Sequence, residues 1–175
     1  MRYLHFADTA AKEGYPNMAR LWRAIAHAEY VHAGDHYREL KHLDGGFTAN
    51  SMAAFGPGDT IKNLKHSIAG ETFEIEEMYP VYIETAKLQN DIGAKKSFEW
   101  AFATEKLHKQ MFEQALSVVE HGSDVALGPV QVCEVCLRNL PHMFFQFPGQ
   151  VLQDLQRFPH LFGIGQNMRG IGLYF

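Results

Sequence analysis

Apolar residues recur at helical spacing through the first 120 or so residues, and the period is lost after that. Leu4, Phe6, Ala7 and Ala10 predict a short helix from about Arg2 to Lys12, ended by Gly14. Pro16 suits the first turn of a second helix, where its missing N–H does no harm. That helix should reach about Lys41, with a stripe of Met18, Leu21, Ile25, Ala28 and Val31. Glycine and proline cluster in residues 44–58 and predict a loop. Asp59 or Thr60 can cap a third helix to about Gln89, with Pro80 inside it expected to cause a kink. Asp91 can cap a fourth, running to about Glu120, before His121-Gly122 stops it. With no strand-like alternation up to residue 121, the expected class is all-α: a four-helix bundle with a truncated first helix, followed by an irregular tail.

Composition divides the chain further. Residues 138–175 contain four charged side chains (Arg138, Asp154, Arg157, Arg169) and seven aromatics, among them Phe144, Phe145, Phe147 and Phe175. Val151, Leu152, Leu155 and Phe158 predict one short amphipathic helix there. The chain therefore reads as a bundle over 1–122, a short segment over 123–137 and a divergent aromatic-rich tail over 138–175. The formal charge of −4, with no basic patch, gives no case for nucleic acid. No apolar run reaches the roughly 18 residues that span a bilayer. No leader pattern opens the sequence, so the expected location is the cytoplasm. Two cysteines exclude a disulfide scaffold, and Cys133-x-x-Cys136 suggests metal or redox use.

The chemistry lies on the helices. Glu29-x-x-His32 and Glu105-x-x-His108 fall on the second and fourth, and Glu71-x-x-Glu74 on the third. Three residues advance about 300° around a helix, so both members of each pair share a face. Six such groups can converge inside a bundle, and carboxylates with one imidazole per metal suit a di-iron or di-manganese centre of the ferritin-like kind. Glu29 lies among Ala24, Ile25, Ala28 and Val31; Glu71 follows Ile68-Ala69-Gly70; Glu105 follows Trp100-Ala101-Phe102-Ala103. A carboxylate facing such a core costs several kcal/mol unless something compensates it, of order 2–7 for a polar group alone. The plainer alternative is that these are boundary residues on helices that also carry Glu76, Glu77 and Glu99.

Three blocks carry a resemblance. They are Glu13-Gly14-Tyr15-Pro16-Asn17-Met18-Ala19-Arg20-Leu21-Trp22 continuing to Glu29-Tyr30-Val31-His32-Ala33, then Asn63-Leu64 with Gly70-Glu71-Thr72-Phe73-Glu74 and Glu77-Met78-Tyr79-Pro80-Val81-Tyr82, and Phe102-Ala103-Thr104-Glu105-Lys106-Leu107-His108. Together they resemble the rubrerythrin family over about residues 1–136. The resemblance implies that Glu29 and Glu105 bridge two irons. It implies that Glu71 and His108 are terminal ligands of one iron, and that Glu74 and His32 alternate on the other. Tyr3 and Tyr79 match family tyrosines that hydrogen-bond ligand carboxylates.

Two departures accompany it. The family's seventh ligand, a Glu about two turns before Tyr3, would fall upstream of Met1. The expectation is a truncated start or an incomplete site. Cys133 and Cys136 resemble the first knuckle of a rubredoxin-like iron site, which needs four thiolates. Leu137 follows where a glycine turn is expected, and no third cysteine appears. A mononuclear iron at Cys133/Cys136 is therefore not expected within one chain, though two chains could pair their knuckles. A shifted reading frame near residue 137 would also produce such an ending.

By resemblance, the expected function is a non-haem di-iron oxidoreductase. It would reduce hydrogen peroxide to water in oxidative-stress defence, with electrons from a rubredoxin-type donor, as a homodimer. The alternatives are an iron-binding or ferroxidase module, or a partly inactive remnant.

Overall fold

The computed structural model describes residues 1–46, 48, 56–128, 130–132 and 144–145. Cys133, Cys136 and the expected helix around Val151–Phe158 lie outside them. Five α-helices make up the body: α1 (Arg2–Lys12), α2 (Pro16–Glu39), α3 (Thr60–Phe73), α4 (Tyr79–Leu88) and α5 (Ile92–Val119). A 3-10 turn, Leu40–His42, extends α2. A π-helical turn, Glu74–Met78, joins α3 to α4 without a break. The helices therefore form the four rods of a bundle: α1, α2, α3 with α4, and α5. α1 packs on α2, and α5 packs on α2, α3 and α4.

The expected starts are visible as bonds. The Asp59 side chain accepts from Lys62 N at 2.7 Å, and Asp91 from Ala94 N at 2.9 Å. Such caps contribute about 1 kcal/mol each. Glu13 Oε2 accepts from Thr60 N at 2.9 Å, fastening the end of α1 to the start of α3. Gly14 and Gly122 turn the chain with φ of 88° and 74°, which a side chain would resist.

The expected kink at Pro80 takes another form. The proline ring would strike the carbonyl four residues back and offers it no N–H. The backbone widens just upstream instead, so that Tyr79 N–H donates to the Glu74 carbonyl, five residues earlier. Five residues advance a regular α-helix by about 500°, leaving Tyr79 about 140° from Glu74. The wider turn absorbs roughly one residue and brings Tyr79 back toward the Glu74 face.

The core's largest fully buried side chains include Trp22, Phe112, Met18, Leu21, Ile25 and Leu64. The predicted α2 stripe is buried throughout. Phe112 meets Tyr3 edge-on at 5.3 Å between ring centroids and lies 6.3 Å from Trp22. Trp22 Nε1 donates to Ser67 Oγ at 3.1 Å, which satisfies the one polar atom of this buried indole. A second cluster, Tyr79, Ile83 and Ala101 with Met78, Phe98 and Phe102, lies between α4 and α5.

Packing continues past residue 122. Val125 is buried in the main core, and the Asp124 carboxylate accepts from Asn17 N and Met18 N at 2.8 and 3.0 Å, capping the first turn of α2. Beyond it, Val130–Gln131 pairs antiparallel with Phe144–Phe145, a two-residue ladder in a region the sequence left without a period. Because Phe112 joins α5 to α1 and α2, Phe112→Ala should destabilise the protein by about 3–5 kcal/mol in urea unfolding.

Candidate metal centre

α2, α3 and α5 each turn an acidic residue toward the middle of the bundle. Glu71, Glu105 and His108 are at most 1% exposed, His32 is buried, and Glu29 is half-buried. One ligand atom from each of Glu29, Glu71, Glu105 and His108 can be chosen so that all lie within 4.8 Å of one another. His32 completes the arrangement from α2. Its Nδ1 lies 3.0 Å from Glu105 Oε1 and 3.3 Å from Glu29 Oε2. His108 Nδ1 lies 2.7 Å from Glu105 Oε2, 3.0 Å from Glu29 Oε1 and 3.8 Å from Glu71 Oε2. Glu29 and Glu105 therefore each present one oxygen to each imidazole.

The electrostatics follow from that geometry. Burial pushes the Glu29 carboxyl up, but the imidazoles of His108 and His32 outweigh it and hold the group below the usual carboxylate range. Burial and the Glu29 charge raise Glu105, and the charges of His32 and His108 bring it below its ordinary value. Burial lowers His32, and Glu105 with Glu29 reverses this, raising it to about 10. His108 is raised in the same way, with burial opposed chiefly by Glu105. Two carboxylates thus stay charged opposite two imidazolium ions. Glu71 and Glu74 are pushed up to about 7 and about 9, by burial first and by the charges of Glu105 and Glu29. Protons neutralise this cavity, and they are what a bound cation would displace.

Hydrogen bonding is incomplete. Glu29 Oε1, Glu71 Oε2, both Glu105 carboxylate oxygens, His32 Nε2 and both His108 ring nitrogens are buried without a well-aligned hydrogen bond among the described residues. So many unaligned donor atoms in one cavity are expensive unless coordination satisfies them. The donor set is all oxygen and imidazole nitrogen, which suits iron or manganese. The residues therefore fit a di-metal centre.

The Tyr3 hydroxyl donates to Glu71 Oε1 at 2.5 Å. Glu74 stands one turn beyond Glu71, outside the tight group of four. The Tyr79 hydroxyl pairs with His36 Nε2 at 3.3 Å, and His36 Nδ1 lies 2.6 Å from Ser97 Oγ. The sequence reading missed His36. The available signal was its place one turn beyond His32 and two beyond Glu29, on the same face of α2.

The comparisons with known proteins come to the same point. The rubrerythrin family model matches residues 1–116. This chain belongs to the rubrerythrin family. It is 40% identical over 136 residues to Rubrerythrin-2 of Clostridium acetobutylicum, which covers 78% of this chain and 74% of that protein. To nigerythrin of Nitratidesulfovibrio vulgaris it is 28% identical over 135 residues, covering 77% of this chain and 65% of that one. The chain thus spans about two thirds of nigerythrin's length. A structure of fully reduced, all-ferrous nigerythrin superposes with a TM-score of 0.68 at 26% identity, covering 83% of this chain and 67% of that one. The fold is ferritin-like, the family carries di-iron centres, and the carboxylate–imidazole cluster is a group of this chain that could hold metal.

Glu105 faces both imidazoles and lies within the group of four, so Glu105→Ala should abolish iron binding. Iron content unchanged by elemental analysis would reject the site.

Proposed function

We propose that this protein is a rubrerythrin-type peroxidase that reduces hydrogen peroxide to water with electrons from a rubredoxin-type donor. The observation that carries the reading is the crossed pairing of Glu29 and Glu105, each with one oxygen toward His32 and the other toward His108. Carboxylates so placed are disposed to bridge two cations, one beside each imidazole. Glu71 and His108 then serve one position as terminal ligands. His32 and Glu74 would hold the other, His32 tied into the cluster and Glu74 standing apart at the start of the π turn.

When bound, the iron pair supplies two electrons and a Lewis acid for O–O cleavage. The protein's own groups orient that chemistry. Tyr3 holds Glu71 in one direction, and burial followed by the Glu71 and Glu29 charges keeps its hydroxyl protonated. Phe6, Trp22 and Phe112 close the α1 side of the centre with apolar surface. Exposed Tyr30, Tyr37, Val81 and Tyr82 are consistent with pairing to a second copy. Among the described residues no helix is long and apolar enough to cross a membrane, and we place the protein in the cytoplasm.

Stopped-flow mixing of the anaerobic, ferrous-loaded protein with peroxide and separately with oxygen tests the activity. Oxidation should be much faster with peroxide. Faster oxidation by oxygen, with ferric iron retained in bulk, would make the protein a ferroxidase instead.

A further inference from the structure

We propose that Ser97 and His36 are positioning residues that fix the direction of the Tyr79 hydroxyl, which accepts from His36 and so must donate away from it. Its catalytic significance rests on the peroxidase reading above; the hydrogen-bond direction does not.

The direction follows from counting donors. Ser67, Thr72, Thr85 and Thr104, all on helices, each send their hydroxyl hydrogen back to the carbonyl one turn earlier. Ser97 is buried on α5 and instead has His36 Nδ1 at 2.6 Å. A buried hydroxyl needs an acceptor for its hydrogen, and among the described residues its hydrogen-bond partner is His36 Nδ1. Nδ1 is then the bare nitrogen, so the neutral ring carries its hydrogen on Nε2 and donates it to the Tyr79 oxygen. Tyr79 already accepts from His36, so its own hydrogen must go elsewhere.

The setting supports a neutral, fixed ring. Burial and then the charge of His32 hold His36 near 4, so one nitrogen donates and the other accepts at neutral pH. Phe98 packs against His36 with centroids 5.1 Å apart and against Tyr79 at 6.3 Å, restricting both rings. The π turn supplies the last element, because it turns Tyr79 toward the Glu74 face. A donor held in this way needs no reorientation when negative charge develops on a substrate oxygen at the centre.

Long-range proton–nitrogen NMR correlation on the metal-free full-length chain reads the tautomer directly. The expected result is a hydrogen on His36 Nε2 and a bare Nδ1. Ser97→Ala should give a mixture of tautomers, and Ser97→Thr should restore the single form. A hydrogen on Nδ1 in the unaltered protein would overturn the proposal. In the iron-loaded protein, His36→Leu should slow oxidation by peroxide at least about tenfold, less than the roughly hundredfold lower end for a general acid itself because His36 acts through Tyr79, with iron content unchanged. An unchanged rate at full iron content would overturn the positioning role. If the unaltered protein shows no preference for peroxide, the peroxidase reading fails while the NMR result still decides the direction of the chain.

Discussion

Charge compensation in a dry interior is the constraint on which this structure depends. Glu29, Glu71, Glu105, His32 and His108 lie where a single unpaired charge would cost several kcal/mol, even after the protein relaxes around it. The groups are tolerable together because Glu29 and Glu105 each face two imidazoles, while burial raises Glu71 and Glu74 toward their neutral forms. Buried polar atoms without aligned bonds remain even so. An arrangement selected for stability alone would replace such groups with apolar ones, which often raises stability. Their retention at the centre of the bundle is the physical argument for metal.

The surrounding fold serves that cluster. Helix periodicity brings Glu29 and His32 to one face of α2, and Glu105 and His108 to one face of α5. The aromatic layer of Phe6, Trp22 and Phe112 fixes α1 against both, and so delivers the Tyr3 hydroxyl to Glu71. On the opposite side, Phe98 and Ile83 pack the α4–α5 interface around Tyr79. The departure from regular helix falls at Glu74, where a ligand, a proline and a tyrosine have to be reconciled within seven residues. Strain of this kind is commonly concentrated where function requires it.

Local information made much of this readable in advance. The acidic and histidine pairs are spaced by the helix itself, and Glu29, Glu71 and Glu105 sit in apolar sequence, so those three could be read as facing the core, with an exposed boundary position as the alternative. Asp59 and Asp91 could be read as caps because a cap bonds within three residues. Tyr79 could not be assigned its partner, since His36 is 43 residues away on another helix and reaches it only in the folded bundle. Pro80 marked a break but not its form, because a proline can be accommodated by bending or by widening the turn upstream. The Asp124 bonds to the start of α2 were invisible for the same reason as the tyrosine contact: their partners are more than 100 residues apart.

The central claim is that Glu29, His32, Glu71, Glu105 and His108, with Glu74 one turn beyond Glu71, are positioned to bind two metal ions. Anaerobic calorimetric titration of the metal-free protein with ferrous iron tests it most directly. The account predicts two equivalents bound per chain and a melting temperature that rises with free iron, as linkage requires. Saturation below one equivalent, or binding that leaves the melting temperature unmoved, would contradict it.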